Sequence, residues 1–268
     1  MSKVSIIGAG LVGSTIAYAL NLKEIADTVA LVDLDEKRVK SEVLDLRHGH
    51  DDLSKSQVIA GTYDDCKDSD LVIITAGLAR KPGETRIELL EKNKKIMQDI
   101  CQTINQTGFD GVALIVSNPV DALTNVASEA LNLPLGRVFG SGCVVDSSRL
   151  VALLAEKFNT PVQNIKATVV GEHGENMKID WENIKINGKK YIFTDAQKQE
   201  LNDAVRLTGM HIIEGKGKTY YGIATSVAEI SNAVLKNKKA VLSVSVPDLA
   251  KDAAVVKLTT VDANGIKL

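Results

Sequence analysis

The stretch IIGAGLVG, residues 6–13, decides the fold. Residues 3–7 read as a short buried strand, and a helix over 11–20 opens inside the glycine turn. Gly8, Gly10 and Gly13 fall in the G-x-G-x-x-G spacing. The first glycine permits a tight turn, the second lets a pyrophosphate approach the backbone, and the third lets the helix pack close to the strand. The helix N-terminus offers unpaired N–H groups to a phosphate. The spacing alone is weak, because a structural turn can carry it. Its context is stronger: it follows a strand, opens a helix, and is followed after about 20 residues by an acid, Asp33, ending the next strand TVALVD (28–33). That carboxylate can accept hydrogen bonds from ribose hydroxyls and would repel a 2′-phosphate, which favours NAD over NADP. FAD would call for a further binding segment, and none is evident.

Working outward, QVIA (57–60), LVIITA (71–76) and VALIVSN (112–118) read as further strands, with helices over 36–47 and 86–106. Continuous apolar strands alternating with helices fit a parallel sheet covered on both faces. The expected fold class is therefore α/β, with an N-terminal doubly wound parallel sheet of Rossmann type. The second half differs. Strands are expected at 164–170, 240–246 and 254–261, a hairpin over 183–193 turns at Asn187–Gly188, and helices cover 196–214 and 219–236. This reads as a mixed α+β substrate lobe. The expected division is 1–140 for cofactor binding and 141–268 for catalysis and substrate binding.

Composition narrows the function. The 268 residues are 44% hydrophobic and 25% charged, with 34 acids against 32 bases. No basic tract suggests nucleic acid. No apolar run approaches the ~20 residues needed to cross a bilayer, and the N-terminus shows no signal core. Cys66, Cys101 and Cys143 match no metal motif, so no metal is expected and a reducing, cytoplasmic compartment is the default. A small molecule and copies of the chain itself are the expected partners.

Four further segments carry candidate chemistry. ITAGLA (74–79) brings Gly77 to a strand end, where the backbone could pass close to a cofactor. VSNPVD (116–121) offers Asn118, either a hydrogen-bonding group for nicotinamide or substrate, or a turn residue before Pro119. The loop ARKPGETR (79–86) presents Arg80, Lys81 and Arg86 around a Pro–Gly pivot, either as cations that close over an anionic substrate or as a solvated loop. In GSGCVVDSSRL (140–150), Asp146 and Arg149 share a helical face. Asp146 could orient an imidazole and Arg149 could grip a carboxylate; alternatively they cap and ion-pair.

The imidazole in question is His173, in VVGEHGENM (169–177), between Gly171 and Gly174. Histidine near its ordinary pKa can give and take a proton at neutral pH, which oxidation and reduction at a C–OH require. His48 and His50 in a polar helix end and His211 in mid-helix lack such a setting. A nucleophilic Cys143 with His173 as base is a competing reading, but it leaves the arginines without a purpose.

Taken in order, IIGAGLVG, LVDLDEKR, TAGLARKPGETR, VSNPVDALT, GSGCVVDSSRL, VVGEHGENM and GKGKTYYGIATS resemble the L-lactate/malate dehydrogenase family, including its L-2-hydroxyisocaproate branch. The resemblance implies an NAD-dependent L-2-hydroxy acid dehydrogenase. His173, paired with Asp146, would exchange the proton, Arg149 would hold the substrate carboxylate, and Arg86 would polarise the carbonyl. Asn118 would position the reacting oxygen, and Asp33 would bind the adenosine ribose. Arg80 falls where malate enzymes carry arginine and lactate enzymes glutamine, so malate/oxaloacetate is the favoured pair. NPVD, GSG and Thr219 are lactate-like, which keeps L-lactate and L-2-hydroxyisocaproate as alternatives. The family's long C-terminal helix has no counterpart after KLTTVDANGIKL, so a shortened second lobe is expected. An impaired, merely NAD-binding protein is the alternative class. The family also implies a homodimer or homotetramer, with helices 35–48 and 219–236 as candidate faces.

Overall fold

The computed structural model describes residues 1–49, 55–78, 83 and 85–268. Strands β1 (Lys3–Ile7), β2 (Thr28–Val32), β3 (Gln57–Ala60), β4 (Leu71–Ile74), β5 (Val112–Ile115) and β6 (Val138–Gly140) pair in parallel in the order β3-β2-β1-β4-β5-β6. This is the doubly wound dinucleotide-binding arrangement, with its strand order reversing beside β1. Ile6, Leu31, Ile73 and Leu114 are fully buried in it. Each stabilises the fold by roughly 1.5–3 kcal/mol relative to exposure.

Helices cover both faces. On one face lie α1 (Leu11–Leu22), α2 (Glu36–His48) and α7 (Tyr221–Leu235); on the other lie α3 (Arg86–Thr107) and α4 (Val120–Ala130). Helix α3 starts where a capping box closes: the Glu88 N–H donates to Thr85 Oγ1, and the Thr85 N–H donates to the Glu88 carboxylate. No helix of the described residues is long and apolar enough to cross a membrane.

The second lobe is a mixed α+β layer, as expected. It contains α5 (Val144–Lys157), α6 (Asp195–Lys216) and short strands β7 (Ile165–Lys166), β8 (Val169–Val170), β9 (Lys178–Ile179), β10 (Lys185–Ile186) and β11 (Lys189–Lys190). The expected hairpin turns at Asn187–Gly188 between β10 and β11. The expected strand 164–170 is two separate strands, because β7 pairs with β10 and β8 with β9.

Three further differences matter. Helix α4 and strand β6 were not anticipated. Strands β12 (Ala240–Val246), β13 (Val255–Asp262) and β14 (Gly265–Ile266) leave the second lobe and extend the main sheet antiparallel beyond β6, joined where Ser245 faces Gly140. The apolar stripe of α7 is also consumed internally. Val227, Ala228, Ile230, Ala233 and Val234 are buried in the main core, and α2 likewise turns Val39 and Val43 inward. Leu44 on α2 and Tyr221 on α7 stay exposed.

Candidate active site

The C-terminal ends of the parallel strands carry the candidate residues, as the fold requires. A cleft of about 500 Å³ runs past Gly8, Gly10, Asp33, Thr75 and Gly77. Gly8 has φ +116°, and a β-carbon there would meet Thr75 Oγ1 at 2.6 Å. A β-carbon on Gly13 would lie 1.8 Å from the Gly8 carbonyl oxygen, so α1 can approach β1 only because residue 13 has no side chain. Gly10 is different: a β-carbon there meets nothing within 4 Å. It is small not for internal packing but beside open cleft, which fits a cofactor's backbone-hugging pyrophosphate. Asp33 Oδ2 accepts the Ala9 N–H at 2.7 Å and Oδ1 accepts the Asp35 N–H at 3.1 Å. These bonds fix the carboxylate at the cleft edge.

A smaller pocket of about 70 Å³ lies beyond β5 and is lined by Asn118, Arg149, His173 and Thr219 among others. Behind its Arg149 and His173, Asp146 on the first turn of α5 is almost wholly buried and uses both oxygens. Oδ2 accepts from His173 Nδ1 at 2.6 Å, and Oδ1 accepts from Arg149 Nη1 at 2.8 Å. An ionised carboxylate only accepts, so Nδ1 carries the proton and Nε2 is left to exchange one.

The electrostatics follow from the contacts. Burial opposes ionisation of Asp146, but the His173 hydrogen bond and the His173 and Arg149 charges outweigh it and lower its pKa. Burial also opposes a charged His173, yet the Asp146 bond and the charges of Asp146 and Asp121 raise its pKa above the ordinary 6.5.

Residues missed in the sequence complete the site. Asp121 Oδ2 accepts the His173 backbone N–H at 2.8 Å, and its Oδ1 accepts Ser245 Oγ–H at 2.5 Å. It thereby ties the histidine turn to α4 and β12. Burial raises the pKa of Asp121 against those two bonds. Asn93 is buried on α3; it accepts the Leu78 N–H and donates to the Asn118 carbonyl, joining the ends of β4 and β5. The signals available were the acid closing NPVD and the alternate serines of AVLSVSV.

Asn118, before a cis Asn118–Pro119 bond, turns its side-chain oxygen toward the Val120 N–H at 3.3 Å. Gly171 and Gly174, with φ +100° and +106°, permit the His173 turn. Cys143 sits beside Asp146, but burial and the nearby acids push its thiol far above the thiolate range, which removes the nucleophile reading. Arg86 opens α3, and its side chain lies outside the described residues, as do Arg80 and Lys81 entirely.

A glycine-turn dinucleotide cleft beside a paired histidine and arginine defines a nicotinamide-dependent dehydrogenase. Comparison with known proteins specifies it. Residues 2–140 match the family model for the lactate/malate dehydrogenase NAD-binding domain, and residues 144–258 match that for the family's α/β C-terminal domain. L-lactate dehydrogenase 2 of Staphylococcus aureus (strain JH9) is 42% identical over 253 residues, covering 91% of this chain and 79% of the relative. The structure is similar to that of minor L-lactate dehydrogenase from Enterococcus mundtii in its ligands-bound form, with TM-score 0.94 and 34% identity, over 100% of this chain and 89% of that one. It is also similar to MGS-M5, a lactate dehydrogenase enzyme from a Medee basin deep-sea metagenome library, with TM-score 0.93 and 33% identity over 99% and 89%.

The chain belongs to the lactate/malate dehydrogenase family. It is an NAD-dependent 2-hydroxy acid dehydrogenase, with NAD as its cofactor and a small organic acid as its substrate. The expected preference for malate is corrected by these relatives, which are lactate dehydrogenases, two of them named as L-lactate dehydrogenases. The expectation rested on the charge of Arg80, and a loop charge does not by itself fix where a side chain points. Among the described residues, the small pocket has one guanidinium, Arg149, with Val116, Val120, Val145 and Ile223 as apolar wall.

Proposed function

We propose that the chain interconverts pyruvate and L-lactate. The observation that carries this is Asp146 holding His173 with one oxygen and Arg149 with the other, which puts a proton donor and a carboxylate fork on one small pocket. Among the described residues lining this pocket Arg149 is the one guanidinium, set among mostly apolar and hydroxyl-bearing neighbours, and one such fork suits a single carboxylate, whereas a second would need a partner of its own. The L-lactate dehydrogenases above support the same choice.

NADH, when bound, supplies the hydride. Gly8, Gly10 and Gly77 would let it lie against the backbone, Gly13 would hold α1 close beneath it, and Asp33 would accept its ribose hydroxyls. Arg149 would grip the substrate carboxylate through its planar fork. Asn118 and Thr219 would bound the reacting end, and Arg86 would polarise the carbonyl oxygen. His173 Nε2 would give that oxygen its proton, while Asp146 stabilises the charged ring and holds its tautomer. In the reverse direction the same nitrogen takes the proton back.

The division at 140/141 is supported by the family matches ending at 140 and resuming at 144. A homodimer or homotetramer is supported by Tyr18, Leu22 and Leu44, which stay exposed on α1 and α2. Cytoplasmic placement is supported by three unpaired, buried cysteines. The test is NADH consumption with pyruvate, oxaloacetate and 2-ketoisocaproate side by side. Pyruvate should lead; oxaloacetate or 2-ketoisocaproate far ahead would overturn the substrate assignment.

A further inference from the structure

Helix α6 contains Gly209 in its interior and Gly215 in its last turn. Glycine is disfavoured there because it gains conformational freedom on unfolding. Neither residue has a positive φ, so the backbone does not demand glycine at either position. Space separates them. A β-carbon at Gly215 meets nothing within 4 Å. One at Gly209 would lie 3.3 Å from Arg149 Nη2, 3.5 Å from Nη1 and 3.6 Å from Cζ. Three atoms of one planar group at nearly equal range mean that the guanidinium lies across the bare backbone of α6. The nearest approach is inside the ~3.5–4.0 Å optimum of a non-bonded contact.

Arg149 is constrained from the other direction as well. Its Nη1 donates to Asp146 Oδ1 at 2.8 Å, and the same carboxylate holds His173. The guanidinium is therefore bounded by Asp146 within its own helix and by α6 at Gly209. A methyl group at 209 would displace the fork by a few tenths of an ångström, against the Asp146 bond.

We propose that Gly209 is a positioning residue for the dehydrogenase reaction: the gap it leaves in α6 seats the Arg149 guanidinium and sets where the fork meets the substrate carboxylate. This rests on the proposed role of Arg149. A fork shifted by a few tenths of an ångström grips the carboxylate less well in ground and transition state alike, which reads as a rise in KM of about three- to tenfold with little change in kcat.

The test compares Gly209→Ala, Gly215→Ala and Gly209→Ala in an Arg149→Lys background, all in the full chain. Both alanine variants should melt higher, since both improve the helix. Only Gly209→Ala should raise the KM for pyruvate, with kcat changed less than about twofold and the NADH dissociation constant unchanged. In the Arg149→Lys background the same substitution should add little. Equal pyruvate KM values for the two glycine variants would overturn the proposal. The Nε–H resonance of Arg149, assigned by its loss in Arg149→Lys, gives a readout free of turnover. It should shift in Gly209→Ala and stay in place in Gly215→Ala; an unmoved resonance in both would overturn the contact. If the unaltered protein failed to turn over pyruvate, the substrate assignment would fall while the resonance still decided the packing.

Discussion

Asp146 joins the two working side chains of the site: His173 and Arg149 take one oxygen each. The raised pKa of His173 sets the pH behaviour. Its protonated ring contributes stability that is fully present below the unfolded value near 6.5 and is lost as pH rises through the higher folded value. Reduction, which under the proposed role needs that proton, should fall across the same window, and oxidation should rise. A pyruvate kcat/KM profile breaking at or below the ordinary histidine value would contradict this. Asp146 acts with the opposite sign: its stabilisation is present above 3.8 and is lost as pH falls through its lowered value. Asp121 gives a second prediction at this scale. Asp121→Ala strands the His173 N–H and the Ser245 hydroxyl, and should cost about 2–4 kcal/mol in denaturant melts. A loss below about 0.5 kcal/mol, within the range of ordinary surface substitutions, would show that those bonds are not needed.

At the scale of elements, the glycine turn separates folding from binding. Gly13→Ala places a β-carbon on the Gly8 carbonyl and should destabilise the β1–α1 unit by about 2 kcal/mol or more. Gly10→Ala meets no atom of the chain. Its melting should be nearly unchanged, while NADH binding should weaken by about tenfold or more, a loss of at least 1.4 kcal/mol. Calorimetry and NADH fluorescence check both, and unchanged NADH affinity in Gly10→Ala would remove that residue from the cofactor site. The strands flanking this turn were legible because each is a continuous apolar run with a turn residue at its end. Strand β6 was not, because three residues, VFG, carry no period. Helix α4 was hidden by its start at Pro119, which reads as a strand stop, although Val120, Leu123, Thr124 and Ala127 do fall on one buried face. The pairing of Asp146 with His173 was legible from chemistry, whereas Asp121 is recognised only once β12 is seen to lie against α4.

Across the whole molecule, the two lobes are interlocked rather than strung together. The chain leaves the parallel sheet after β6, builds the α+β layer, and returns as β12–β14 on the edge of that same sheet. Ser245 on the returning strand reaches Asp121, which holds the histidine turn. Local sequence could not show this, because an alternating strand pattern does not state which sheet it joins. The proposed interface would use apolar side chains left exposed, such as Tyr18 and Leu22 on α1 and Leu44 on α2. Light scattering on the purified chain should give two or four subunits, and a monomer at micromolar concentration would contradict the proposed assembly.

The most direct measurement is NADH consumption with pyruvate by the unaltered chain and by His173→Ala, with NADH binding followed by fluorescence. The unaltered chain should consume NADH. The variant should lose turnover by about 10²–10⁴-fold, the range supplied by a positioned acid–base group, while still binding NADH. Turnover equal to that of the unaltered chain would contradict the assignment of the proton to His173 and, with it, the site built around Asp146.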